Sequence, residues 1–199
     1  MTDRVVLATR NAHKVAELQR ILSAAGLNVE LVGLDAFPDA PEVAETESSF
    51  AGNALLKART IAEFTGLPAI ADDSGLCVDA LNGMPGIYSA RWAGRHGDDR
   101  ANLELVLGQL VDVPDSRRGG QFVCAAAWVV PGAEEHVVEG VLEGSLARAP
   151  RGANGFGYDP IFIPQGYALT TAELRPDEKD AISHRGQAFR ALAREMASP

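Results

Sequence analysis

The chain has 199 residues and fits one domain, with room for two lobes. Its 46% hydrophobic and 23% charged content is that of a soluble globular protein. The net charge of −9 argues against nucleic acid as the main partner, because nucleic-acid binders present basic surfaces.

Met1-Thr2-Asp3-Arg4 enters a strand-like run at once, so no signal peptide is expected. No apolar run approaches the roughly 18 residues of a membrane span. Val5 to Ala8 reads as the first strand, followed by the polar loop Thr9-Arg10-Asn11. Val15, Leu18, Ile21, Leu22 and Ala25 recur at helical spacing, and Gly26 closes that helix. Val29 to Leu34 reads as a second strand, and residues 35–47 as an acidic loop with Pro38 and Pro41. Ser48 is expected to cap a helix running to Thr65, with Gly66 ending it. Phe50, Ala54, Ala58, Ile61 and Ala62 form its apolar face. Asn53 and Lys57, four apart, share one polar stripe beside it.

Leu67 to Ala71 and Leu76 to Val78 read as two short buried strands on either side of Asp72-Asp73-Ser74-Gly75. A turn at residues 82–86 follows, then a helix from Asp98 or Asp99 through Leu103, Val106, Leu107 and Leu110. Gln121 to Val130 and His136 to Glu143 suggest a hairpin joined through Pro131-Gly132. Gly152 to Gly157 is glycine-rich and leads into a strand at 161–163. The last helix is expected near Ser183, with Phe189, Leu192, Ala193 and Met196 facing inward. Cys77 and Cys124 lie in apolar runs and read as reduced, buried thiols of a cytosolic protein. The mixture predicts an α/β protein with a mixed sheet, without fixing strand order.

Two adjacent carboxylates at a strand end repel. A hard cation between them, or a proton on one, relieves the cost. Asp72-Asp73 is therefore a metal site or an acidic turn, with the motif alone dividing evenly between them. A polyanionic ligand would need local cations, and the chain has just three lysines: Lys14, Lys57 and Lys179. A lysine kept among so many arginines fits a place where a compact charge is needed.

Thr9-Arg10-Asn11-Ala12-His13-Lys14 sits at a strand-to-helix junction, where backbone N–H groups and the helix dipole favour an anion. It lacks the P-loop spacing and the glycines of a dinucleotide fingerprint. The plain alternative is an Asn cap. Glu45 could join Asp72 and Asp73 around Mg²⁺, although Glu42 and Glu47 are equally plausible solvated neighbours. In Gly155-Phe156-Gly157-Tyr158-Asp159 a Phe between glycines can stack on a flat ring. A glycine-rich hairpin with a core Phe is the alternative. Lys179, His184 and Arg185 are read as clustering at the last helix start, against its dipole, which suggests that they face an anion or a base edge.

Taken together, these motifs resemble the inosine triphosphate pyrophosphatase family. The matching segments are Thr-x-Asn-x-x-Lys at 9–14, Asn53-Ala54 with Lys57-Ala58, Ala71 to Leu76, Pro85 to Trp92, Gly155 to Phe162 and Lys179 to Gly186. They span nearly the whole chain in the family's order. The resemblance implies one domain over 1–199 with two lobes, a long mixed twisted sheet flanked by helices, and a site in the inter-lobe cleft. It implies hydrolysis of dITP, ITP, XTP and dXTP to monophosphate and pyrophosphate by a cytoplasmic homodimer, with no nucleic-acid or membrane partner. One Mg²⁺ per subunit, replaceable by Mn²⁺, is implied as cofactor. Carried over by position, Asp73 is the base, and Glu45, Asp73 and Asp72 hold the metal. Thr9, Arg10, Asn11, Ala12, His13 and Lys14 hold the triphosphate, with support from Asn53 and Lys57. Ser74 contacts substrate. Phe156, Gly157, Tyr158, Asp159, Lys179, His184 and Arg185 enclose the base.

Three positions depart from the family pattern: Arg10 where small residues are common, Gly52 where an acid is usual, and Asn154 where Gly is more frequent. The change at 52 bears on a secondary metal contact. Two other readings stay open. One is a Maf-type dTTP/UTP pyrophosphatase, whose Ser-x-Arg-Arg signature is absent. The other is a nucleotide-binding module without catalysis, which the intact acid pair disfavours.

Overall fold

The computed structural model describes residues 3–10, 12–133 and 135–197. Among these residues are six strands: β1 (Asp3–Leu7), β2 (Val29–Gly33), β3 (Ala69–Val78), β4 (Gly119–Val129), β5 (Glu135–Leu146) and β6 (Phe162–Pro164). The α-helices among the described residues are α1 (Ala12–Ala24), α2 (Phe50–Thr65), α3 (Asp99–Gln109), α4 (Pro176–Ile182) and α5 (His184–Ala197). The strands form one sheet in the order β2-β1-β3-β4-β5-β6. β1 runs parallel to both β2 and β3, while β6 is antiparallel to β5, so the sheet is mixed. None of the helices is long and apolar enough to cross a membrane among the described residues.

Residue contacts divide the chain into two compact units. The first comprises Met1–Asp73, Cys124–Gly140 and Arg185–Pro199, the second Ser74–Val123 and Val141–His184. In the first, Leu7, Leu18, Leu22, Ile70, Phe189 and Leu192 are buried together beneath α1 and α5. Val6, Ala54, Ala58, Ile61, Ala69 and Ala71 form a separate core beneath α2. Strand alternation explains the division, because consecutive residues of β1 and β3 point to opposite faces of the sheet. The second unit has its own core around Leu76, Val106, Phe122, Ile161 and Phe162.

Local chemistry sets the helix ends. Ser49, not Ser48, caps α2, accepting a hydrogen bond from the Gly52 N–H at 3.1 Å. Gly66 ends that helix with φ +67, a conformation glycine adopts at no steric cost. Asp98 caps α3 through the Ala101 N–H. α4 is an element the sequence pattern did not suggest. Its carboxy-terminal cap is Ser183, whose N–H donates to the Lys179 carbonyl at 2.8 Å, immediately before α5. Neither cysteine is in a disulfide; Cys124 is buried as expected, whereas Cys77 is half-buried.

Candidate active site

β3 decides the architecture of the acidic motif. Residues 69–78 form one uninterrupted strand, so Asp72-Asp73-Ser74-Gly75 is not a turn between two strands. β1 pairs with β3 through Val6↔Ala69 and Leu7↔Ile70, so the acid pair extends past the carboxyl end of β1. β2 lies on one side of β1 and β3 on the other. Such reversals of strand order are where open α/β sheets bind ligands.

Alternation then sends the two carboxylates to opposite faces. Asp72 shares its face with Ile70, toward α1 and α5. Lys14 Nζ donates to both its oxygens, at 2.8 and 3.0 Å, and Arg185 Nε to Oδ2 at 3.4 Å. Burial alone would raise the Asp72 pKa, but the charges of Lys14 and Arg185 outweigh it and hold the carboxyl well below its usual range.

Asp73 shares its face with Ala69 and Ala71, toward α2. Asn53 Nδ2 donates to it at 3.1 Å and Lys57 Nζ at 3.0 Å. The stripe at 53 and 57 is borne out, since one helical turn brings both side chains to one carboxylate. Asn53 is fully buried, and its Oδ1 also accepts from the Glu47 N–H at 3.0 Å, tying the acidic loop to the strand. Gly52 follows from the same closeness, since a Cβ there would stand 2.8 Å from Glu47 Cβ.

Lys57 divides its charge, lying 3.1 Å from Glu45 and 3.0 Å from Asp73. Burial and the nearby Glu45 together outweigh Lys57 and Asn53, pushing the Asp73 carboxyl up to about 6. Burial lowers the Lys57 pKa less than Asp73, Glu45 and Asp72 raise it, so the ammonium keeps its proton. The adjacent acids are thus driven apart, one firmly ionised and one poised near neutrality. That is how paired carboxylates acquire different roles.

The Lys57 ammonium already stands where Glu45 and Asp73 converge, and their carboxylate oxygens are hard donors of the kind that could hold Mg²⁺. Asp72 does not join them. Among the described residues, no group of three or more His, Cys, Asp or Glu is gathered to hold a metal.

Other expected site residues fall as follows. Arg10 is exposed and donates to the Ala40 carbonyl at 3.1 Å. The Thr9 carbonyl accepts from the Leu34 N–H. Asn11 lies outside the described residues, as do the side chains of Ala12 and His13. Ser74 is half-buried on β3.

In the second unit, Asp159 organises the glycine-rich loop. It accepts from Lys179 Nζ at 2.5 Å, Thr171 Oγ1 at 2.8 Å and the Phe156 N–H at 2.8 Å. Gly155, with φ +73, has no room for a Cβ, which would collide with the Asp159 carboxylate. Phe156 is 60% exposed, which rules out a core role, and Lys179 Nζ lies 5.4 Å from its ring centroid. The Tyr158 hydroxyl donates to the Ser89 carbonyl at 2.8 Å. The His184 ring stacks on Phe122 with centroids 4.9 Å apart.

The dipole argument for Lys179 is corrected here. Lys179 sits in the last turn of α4, where a cation is favourable, and not at the start of α5. Only His184 and Arg185 begin α5. Sequence reasoning also passed over Ser89 and Thr171. Ser89 Oγ is buried and accepts from the Leu76 N–H. A Ser inside a short 3₁₀ segment, Gly86–Arg91, and a Thr inside a loop carry no signal of such contacts.

Residues 5–195 match the model of the Ham1 family. The chain belongs to the Ham1 family. It is 63% identical over 189 residues to the dITP/XTP pyrophosphatase of Streptomyces coelicolor, covering 95% of this chain and 94% of that one. The crystal structure of the Mycobacterium abscessus nucleoside-triphosphatase, a dITP/XTP pyrophosphatase, is 59% identical with TM-score 0.81, covering 95% of this chain and 98% of that one. A HAM1 protein from Coxiella burnetii is 43% identical with TM-score 0.90, covering 98% and 99%. These solved structures bear out the expected fold family.

Proposed function

We propose that this chain is a nucleoside-triphosphate pyrophosphatase that hydrolyses non-standard purine nucleotides, dITP, ITP, XTP and dXTP, to the monophosphate and pyrophosphate, cleansing the nucleotide pool. The observation that carries the chemistry is Asp73. It is buried, held by Asn53 and Lys57, and its carboxyl is pushed up to about 6. A base poised near the working pH accepts a proton most effectively.

Lys14 and the amino-terminal end of α1 attract the triphosphate, while Asp72 positions Lys14 and Arg185. Asp73 takes a proton from water. The water oxygen bonds to the α-phosphorus as the bond to the bridging α–β oxygen breaks, and pyrophosphate leaves. Mg²⁺ held by Glu45 and Asp73 would neutralise developing phosphate charge when bound. Phe156 offers an exposed ring for the purine to stack on, and Lys179 a donor for its 6-oxo group. The amino group of adenine would leave that donor unpaired, a loss worth up to about 10⁴-fold in discrimination. The same reading extends to a cytoplasmic homodimer using Mg²⁺ or Mn²⁺, with support from the family resemblance.

The test is pyrophosphate release from dITP, XTP, dATP, dGTP and dTTP, with and without Mg²⁺. Metal-dependent release confined to dITP and XTP is expected. Release from dTTP would transfer the protein to the Maf-type reading, and binding without release would leave a nucleotide-binding module. In Lys179→Ala, selectivity for dITP over dATP should fall more than triphosphate affinity. Equal loss for every nucleotide would contradict base reading.

A further inference from the structure

Two consecutive backbone amides flank the Phe156 ring, and each donates to a carboxylate. The Phe156 N–H reaches Asp159 Oδ2 at 2.8 Å, and the Gly157 N–H reaches Asp99 Oδ2 at 2.9 Å. Asp159 is buried inside the loop's own network, whereas Asp99 comes from a different element, the first residue of α3. Gly157 has φ +60 and would have no intrinsic reason to hold one conformation. Its neighbour on the other side, Tyr158, is anchored through its hydroxyl to Ser89. A turn bond from the Asp159 N–H to the Phe156 carbonyl, at 3.2 Å, spans Gly157 and Tyr158 from within the loop, and Asp99 adds a hold on the Gly157 amide from outside it.

We propose that Asp99 is a positioning residue for base recognition, fixing the Gly157 amide so that the exposed Phe156 ring is presented in one orientation. The proposal rests on the reading of Phe156 as the base platform. Asp99 touches neither phosphate nor metal ligands; it acts through the loop. A carboxylate in the first turn of a helix is also favourable toward the dipole, so a purely helix-stabilising role is the competing account. The two differ in what they ask of residue 99. The clamp needs an acceptor oxygen and no charge, while the dipole needs the charge.

The experiment compares Asp99→Asn, Asp99→Ala and, as a control for α3 stability, Asp98→Ala. An exposed hydrogen bond of this kind is expected to move binding by about three- to tenfold. Asp99→Ala should raise KM for dITP by about that factor and leave kcat nearly unchanged. Asp99→Asn, which keeps the acceptor, should restore KM. Asp98→Ala, which removes the α3 cap, should lower Tm without moving KM. Hydrogen exchange supplies a readout independent of substrate: the Gly157 amide should exchange faster in Asp99→Ala than in Asp99→Asn. Asp99→Asn as impaired as Asp99→Ala, or unchanged KM and unchanged exchange in Asp99→Ala, would overturn the proposal. Faster exchange with KM unchanged would keep the clamp and overturn its role in recognition. No turnover of dITP by the native protein would instead count against the proposed function, with the exchange comparison still deciding whether the clamp exists.

Discussion

On one face of β3, Asp72 meets two cations, Lys14 and Arg185; on the other, Asp73 shares a single cation with Glu45. The residues are adjacent and chemically identical, and both are buried. Their difference comes from the ratio of positive to negative charge within reach. Surplus positive charge keeps Asp72 ionised, while a lysine shared with Glu45 is too little to offset burial at Asp73, whose carboxyl rises to about 6. Burial raises both carboxyls, so it cannot be what separates them. A fixed anion on one face can orient cations for phosphates, while a proton acceptor on the other can act on water.

The largest expected effect tests that separation directly. Asp73→Asn should lower kcat by roughly 10³-fold, in the range of a lost general base, while nucleotide still binds. Asp72→Asn should act mainly on KM, through Lys14 and Arg185. Equal losses of kcat in the two variants, measured by pyrophosphate release, would erase the distinction.

Stability should run in the opposite sense. Asp72→Ala strips a buried partner from Lys14 and Arg185 and should cost about 3 kcal/mol in urea unfolding at pH 8. Asp73→Asn should be at least as stable as the native protein there. The sign follows from linkage. Asp73, with its pKa raised in the folded state, contributes stability at low pH that is lost as pH rises through about 6. Asp72, with its pKa lowered, contributes stability above the ordinary Asp value that is lost as pH falls below it. A less stable Asp73→Asn would mean that Lys57 needs the charge more than the fold suffers from it.

The smallest effect sharpens the assignment of the metal. In the proposed site a proton on Asp73 would compete with Mg²⁺, so affinity should weaken by about tenfold per pH unit below about 6. Calorimetric titration between pH 5 and 8 should show this slope, and Asp72→Asn should keep it. Affinity independent of pH would place the metal away from Asp73.

Much of the fold was legible in the residues. The amphipathic spacing of α1, α2, α3 and α5 and the caps at Asp98 and Gly66 are local properties, written within a few residues of where they act. The pairing of Asn53 with Lys57 was readable because four residues on a helix fix a shared face. α4 was missed because a helix of 7 residues has too few turns to show a period. That omission placed Lys179 at the wrong helix end.

What only the tertiary structure decided is where chain neighbours part and distant residues meet. A strand's identity depends on partners far away in sequence, so the Asp-Ser-Gly string that reads locally as a turn is held straight through 69–78. Alternation along that strand then gave Asp72 to α1 and α5 and Asp73 to α2, separating a pair that the family resemblance implied would share one metal. The sequence by itself determined which residue types were present and in what order, enough to indicate the family. The pairing of each acid with its lysine, 58 residues apart for Lys14 and Asp72 and 16 for Lys57 and Asp73, required the sheet order to be set first, because charge acts through space and not along the chain.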